Sequence, residues 1–191
     1  MKKIILASGS PRRKELLEKI GLKFDVEPAD FIEDMPAGLS THEIAKKLSL
    51  GKARKVSLHH LDAIIIGADT FGVLDGKILG KPHHAAQAKK MLGMLSGKSH
   101  LVITGITVMD SATGKTETST VETIVHFRKL TGEEIDAYIA TGEPLDKAGA
   151  YAIQGLGALL IDRIEGDYYN VIGLPLSTLA EILKDFGVKV L

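Results

Sequence analysis

The stretch Lys3-Ile4-Ile5-Leu6-Ala7-Ser8-Gly9-Ser10-Pro11-Arg12-Arg13 decides the fold class. Its first five residues form a short apolar run, the pattern of a buried strand. Ser8 to Ser10 is a small-residue turn. Pro11 suits the first position of a helix with Ser10 as its N-cap, and Leu16, Leu17 and Ile20 mark that helix's buried face. A strand that turns tightly into a helix opens an α/β protein. It also brings unpaired backbone N–H groups and the positive end of a helix dipole to one point, where an anion is favoured. Arg12 and Arg13 add planar donors suited to phosphate. Arginine ordinarily favours the last turn of a helix, so two in the first turn point to an arriving anion. The plain alternative is a capped helix with solvated arginines.

Working outward, Leu22, Phe24 and Val26 alternate as a strand. Residues 28–39 form an acidic loop holding Asp30, Glu33 and Asp34. Ser40-Thr41-His42-Glu43 is a capping box, followed by Ile44, Ala45, Leu48, Ala53 and Val56 at helical spacing. Residues 63–67 read as a second buried strand ending in Ala68-Asp69-Thr70. Residues 71–79 read as a hairpin about Asp75-Gly76. A helix over 84–95 stops near Gly97. Residues 100–109 and 116–127 are β-rich and joined by a turn at Gly114. Thr131-Gly132-Glu133-Glu134 caps a helix that Gly142 ends. Residues 143–157 form a glycine-rich loop. Residues 158–164 and 168–172 read as a hairpin about Gly166, and a last helix spans 177–186. Strands alternate with helices early and pair as hairpins later, which predicts a mixed sheet flanked by helices.

The chain has 191 residues, with 24 Lys+Arg against 24 Asp+Glu. That length suits one domain, or one domain with two lobes, and we expect residues 1–191 to form a single domain. An apolar share of 45% and a charged share of 25% exclude disorder. The absence of cysteine excludes a disulfide scaffold, a thiolate nucleophile and a Cys-type metal centre. Zero net charge and 5% aromatics argue against a nucleic-acid polymer as partner. The opening apolar run is too short for a secretory h-region, and no run approaches ~18 apolar residues, so we expect a cytoplasmic protein without a membrane span.

Several tempting motifs fail. Gly93-Met94-Leu95-Ser96-Gly97-Lys98-Ser99 lacks one spacer residue of a phosphate-binding P-loop and follows a helix rather than a strand. His42-Glu43-Ile44-Ala45-Lys46 lacks the second histidine of a zinc protease helix. The pairs His59-His60 and His83-His84 read as solvated surface histidines. What remains is a set of groups suited to one chemistry. Asp69 follows a buried strand, where α/β proteins place ligand chemistry. The acidic loop adds Glu33. Lys52, Lys81 and Lys147 are candidate phosphate contacts, and Gln154 is a polar side chain in an otherwise apolar loop. Cationic donors, two carboxylates and small-residue loops, without a nucleophile, suit attack of water on a phosphate ester assisted by Mg²⁺ or Mn²⁺.

The chain resembles the Maf family of nucleoside triphosphate pyrophosphatases. The matching stretches are Leu6-Ala7-Ser8-Gly9-Ser10-Pro11-Arg12-Arg13-Lys14-Glu15-Leu16-Leu17, Gly67-Ala68-Asp69-Thr70, Gly80-Lys81-Pro82, Leu95-Ser96-Gly97, Glu143-Pro144-Leu145-Asp146-Lys147-Ala148-Gly149-Ala150-Tyr151 and Gly173-Leu174-Pro175, in family order. The resemblance implies an elongated α/β fold with a deep nucleotide cleft between two lobes, related to the pyrophosphatases of deaminated purine triphosphates. It implies hydrolysis between the α- and β-phosphates, a divalent metal and a homodimer. By the same resemblance Asp69 is the general base, and Ser8, Arg13, Lys52, Lys81 and Lys147 contact phosphates. Glu33 and Asp69 hold the metal, and Arg12, Thr70 and Gln154 occupy specificity positions.

The loop from Asp146 to Tyr151, with Gln154, resembles the branch acting on dTTP and UTP. Two positions depart from the family pattern: Phe71-Gly72 replaces two aliphatic residues, and Ala152 replaces a common glycine. The expected base preference has a chemical reason. Thymine and uracil present an O4 acceptor and an N3–H donor; cytosine presents an amino donor and a bare N3. A glutamine amide can pair with either pattern by flipping, whereas a donor-only arginine favours the carbonyl. The alternatives are a non-catalytic nucleotide-binding regulator of septum formation and a pyrophosphatase for deaminated purine triphosphates.

Overall fold

The computed structural model describes residues 2–31 and 38–191. Glu33, Asp34 and the middle of the acidic loop lie outside the described residues. The elements are β1 (Lys3–Leu6), α1 (Pro11–Lys19), β2 (Asp25–Val26), α2 (Thr41–Ser57), β3 (Ala63–Leu74), β4 (Lys77–Leu79) and α3 (Ala85–Leu95). They continue as β5 (Ser99–Asp110), β6 (Thr116–Phe127), α4 (Gly132–Ala140), β7 (Ile161–Glu165), α5 (Tyr168–Ile172) and α6 (Leu176–Asp185). The strand order is β2-β1-β3-β5-β6-β7, with β4 also paired to β3. The sheet is mixed, as expected. β1 pairs in parallel with β2 and β3, while β4 and β7 run antiparallel to β3 and β6.

The chain divides into two compact units. One comprises residues 1–69, 104–121 and 173–191; the other comprises residues 70–103 and 122–172. The first unit has a core of Ile5, Ala7, Ala53, Val56, Ala63, Ile65 and Met109. Here α2 lies on β3. Its start is the expected capping box, in which the Ser40 hydroxyl accepts from Glu43 N–H and the Glu43 carboxylate accepts from Ser40 N–H. The close approach is possible because β3 carries Gly67. A Cβ there would sit 2.4 Å from the Ser49 carbonyl oxygen and 3.0 Å from the Ala53 nitrogen, so no other residue fits under the helix.

The second unit builds its core from α3, α4 and the strands, with Leu74, Leu79, Leu92, Leu95, Val125, Phe127 and Ile135 among the buried residues. Buried polar side chains lie within this unit too, His100 among them. His100 is 4% exposed and its Nε2 lies 2.9 Å from the Tyr151 hydroxyl oxygen. Its ring meets Phe127 and Tyr151 edge-on, at centroid separations of 5.6 and 5.4 Å.

Three elements differ from the sequence-based expectation. The strand expected over Leu22 to Val26 shortens to Asp25–Val26, because only Asp25 and Val26 find ladder partners, on Ile5 and Leu6. Residues 63–74 form one continuous strand rather than a strand followed by a hairpin arm. The hairpin turn stands where expected, with Asp75 and Gly76 both at positive φ. The hairpin expected about Gly166 is absent: residues 168–172 are the helical turn α5, and β7 pairs instead with β6. Buried polar bonds secure α5. The Asn170 amide donates to the Val102 carbonyl at 3.1 Å and to the Thr123 hydroxyl at 2.9 Å. Asp167 Oδ1 accepts from Tyr169 N–H at 2.7 Å, satisfying a first-turn donor.

Burial pushes the His100 pKa down from 6.5 to about 4, with a smaller contribution from the charge of His126. Between those values the unfolded chain binds a proton that the folded protein refuses. The resulting stability is complete above pH 6.5 and is lost as pH falls towards 4, by at most about 3 kcal/mol. The shifted carboxyls of Glu43, Glu134 and Asp110 are lowered, so their contributions disappear only below their ordinary range. His100→Gln is therefore expected to flatten the loss of stability between pH 6.5 and 4 without moving the steeper loss below it. Urea midpoints across that series check it.

Candidate active site

β1 ends at Leu6, opposite Ile66 of β3, and Ala7 N–H bonds the Ile66 carbonyl at 2.8 Å. From there β1 turns away into Ser8-Gly9-Ser10, while β3 continues through Asp69. The carboxylate is therefore inside a long strand, three residues beyond its last pairing with β1, rather than at the strand's carboxyl end.

Residues two apart on a strand share a face, so Asp69 faces the same way as Gly67. The helix seated on Gly67 carries Lys52 between the two residues that touch it, Ser49 and Ala53. Lys52 Nζ consequently donates to Asp69 Oδ1. The two side chains are only 14% and 11% exposed. A buried carboxylate and a mostly shielded ammonium each need the other, since removing one partner leaves an uncompensated charge. This pairing joins two residues that the sequence singled out separately.

The turn after β1 forms a second cluster in the same unit. Arg13 is 8% exposed, and its guanidinium donates from Nη1 to the Ser8 hydroxyl at 3.0 Å and from Nε to the Gly173 carbonyl at 2.7 Å. Arg13 is thus a fixed, desolvated donor rather than a solvated surface arginine. Ser8 Oγ also accepts from Ser10 N–H at 3.3 Å. Ser10 occupies the N-cap of α1, yet its side chain caps nothing, and the first turn holds no acidic residue. The expected capping bond is absent, and the helix start is electropositive. Arg12 is half-buried beside it.

The remaining candidates belong to the second unit. Thr70 is half-buried and Lys81 is exposed. Gly149 N–H bonds the Gly80 carbonyl at 3.0 Å, which ties the Lys81 segment to the loop carrying Lys147. The Lys147 side chain is 16% exposed and pairs with Asp146. Gln154 is half-buried in the segment before the 3₁₀ turn Gly155–Leu160. The histidine pairs take no part in these clusters: His59 and His60 share the Glu27 carboxylate, at 2.6 and 2.7 Å, and His84 caps α3.

Among the described residues no group of three or more His, Asp or Glu side chains is arranged to hold a metal ion. Asp69 supplies one hard oxygen donor. That fits a magnesium-like ion held by one or two carboxylates together with phosphate oxygens and water, rather than by a complete protein cage. The second expected ligand, Glu33, lies outside the described residues. No helix among the described residues is long and apolar enough to cross a membrane.

His100 and Tyr138 lie outside every motif of the sequence, and only proximity in space shows their hydrogen bonds to Tyr151 and Glu143.

Comparison with known proteins places the whole chain in one family. Residues 3–186 match the family model described as Maf-like protein. The chain is 50% identical over 190 residues to the dTTP/UTP pyrophosphatase of Moorella thermoacetica, covering 100% of this chain and 98% of that protein. It is 47% identical to the dTTP/UTP pyrophosphatase of Desulforamulus reducens, covering all of both chains. It is 51% identical to the dTTP/UTP pyrophosphatase of Bacillus cereus, covering 93% of that protein. A match running from β1 to the end of α6 spans every cluster described above, and the chain belongs to the Maf-like protein family.

Proposed function

We propose that this protein hydrolyses nucleoside triphosphates, dTTP and UTP in particular, between the α- and β-phosphates, releasing a nucleoside monophosphate and pyrophosphate. The observation that carries this reading is identity of about half the residues, over the full length, to proteins named for that activity. The buried Lys52–Asp69 pair supports it from within the structure. A site that only held phosphate would gain nothing from a buried carboxylate beside it; a site that activates water would.

In this reading Asp69 takes the proton of the attacking water as the phosphoanhydride bond breaks, and pyrophosphate departs. Lys52 balances the carboxylate before substrate arrives and contacts phosphate afterwards. Arg13, held by Ser8 and Gly173, offers donors that need no reordering, which is how preorganised groups stabilise developing charge. Lys81 and Lys147 are further phosphate contacts. Arg12, Thr70 and Gln154 are the specificity residues, with Gln154 reading the base edge. A divalent cation on Asp69 and Glu33 supplies charge neutralisation on the polyphosphate. A homodimer in the cytoplasm belongs to the same reading.

One panel of nucleotides, with pyrophosphate and orthophosphate measured separately, tests the proposal. dTTP and UTP are expected to give pyrophosphate with specificity constants roughly 5- to 150-fold above CTP, the range set by one unpaired buried donor. Orthophosphate as sole product, or equal constants for UTP, CTP and GTP, refutes it.

Asp69→Asn is expected to cut kcat by roughly 10²–10⁴-fold at saturating UTP, with the fold retained by circular dichroism. Exhaustive chelation is expected to abolish turnover, and added Mg²⁺ or Mn²⁺ to restore it. Residual wild-type turnover after chelation removes the metal from the mechanism.

A further inference from the structure

The loop that carries Gln154 is closed at its neck. Gly157 approaches Ala152 so closely that a Cβ on Gly157 would lie 2.2 Å from the Ala152 carbonyl oxygen and 2.7 Å from the Tyr138 hydroxyl. Residues 152–157 therefore leave and return at one point, with Gln154 between. Two side chains from outside the loop hold this neck. The Tyr138 hydroxyl accepts from Ala152 N–H at 3.3 Å and donates to Glu143 Oε1 at 2.8 Å. The Glu143 carboxylate then accepts from Gly157 N–H at 3.1 Å and from Leu156 N–H at 3.3 Å.

The chemistry of the clasp is specific. Three donors converge on one carboxylate, an arrangement only an acceptor-only group satisfies. An amide in its place would turn an N–H group towards one of the loop's own N–H donors. Glu143 is itself placed by its backbone N–H, which donates to the Thr141 hydroxyl at 3.1 Å beyond the end of α4. Tyr138 is 5% exposed and rigid in the second unit's core. Burial, reinforced by its bond to Glu143, pushes its phenol pKa up, so the hydroxyl proton stays available for donation. Helix α4 thus serves as the fixed support, and the clasp transmits its position to both ends of the loop.

We propose that Tyr138 and Glu143 are positioning residues for base discrimination: together they fix the neck of the 152–157 loop and so set where Gln154 presents its amide. Gln154 makes the chemical distinction, and the clasp keeps it from flipping or shifting to suit the wrong base. This rests on the reading of Gln154 as the base-reading residue given above. Loss of the clasp should therefore lower selectivity between UTP and CTP more than it lowers turnover.

The test compares Tyr138→Phe, Glu143→Gln, Gly157→Ala and Gln154→Ala in the full chain, measuring kcat and KM for UTP and CTP. Each clasp variant is expected to reduce the UTP-to-CTP ratio of specificity constants at least 5-fold, through KM for UTP, with kcat within about 2-fold. Tyr138→Phe added to Gln154→Ala is expected to change the ratio no further, because the tyrosine acts through the glutamine. Thr131→Ala provides the structural control. It removes the cap at the opposite end of α4 and is expected to lower stability while leaving the ratio at its wild-type value. If Gln154→Ala lowers the ratio and folded Tyr138→Phe and Glu143→Gln do not, the clasp has no positioning role and the proposal is overturned. If Gln154→Ala leaves the ratio unchanged, the base-reading assignment falls, and this proposal falls with it.

Discussion

The seat of α2 on β3 at Gly67 is the contact on which the first compact unit depends. A side chain at position 67 would collide with the helix backbone at Ser49 and Ala53. Without it the helix comes down onto the strand, and the register of both elements then decides the rest. Lys52 falls within reach of Asp69, and the pair is buried by the same approach that forms it. Burial of opposite charges in one place costs desolvation that only close pairing offsets, so the arrangement tolerates little slack.

The turn after β1 follows a related logic. A guanidinium that is nearly out of solvent must find acceptors, and Arg13 finds them in Ser8 and in the Gly173 carbonyl, 160 residues away in the chain. Those bonds hold the arginine in one orientation beside a helix start whose N-cap side chain offers no competing acceptor. The entropy of ordering this long side chain is lost during folding, so its donors are fixed in advance.

In the second unit the ordering principle is different. The loops bearing Lys81, Lys147 and Gln154 have little regular structure and obtain their shape from polar contacts to other residues. Gly149 N–H on the Gly80 carbonyl joins two of them, and the Tyr138–Glu143 clasp closes the third. Tyr151, edge-on to Phe127 and bonded to buried His100, anchors the lysine loop into the aromatic core. Loops that must present polar groups cannot rely on their own hydrophobic burial, and side chains fixed in the core supply the rigidity instead.

Local signals decided what they could by themselves. The capping boxes at Ser40 and Thr131, the Asp75-Gly76 turn and the buried run before Ser8 mark elements because short-range hydrogen bonding and periodic burial act within a few residues. The stretches around Ser8, Asp69, Lys81 and Lys147 were legible through their resemblance to a known family. Periodicity failed where a choice of distant partner mattered. β3 runs on past Gly67 because β4 pairs with its second half, and residues 168–172 coil into a helix whose Asn170 amide finds its acceptors on Val102 and Thr123 of other segments. The pairing of Lys52 with Asp69, the capture of Arg13 by Gly173 and the clasp on the Gln154 loop belong wholly to tertiary structure. Each joins groups whose separation in sequence carries no signal, and only the packing that buries them brings them within hydrogen-bond distance.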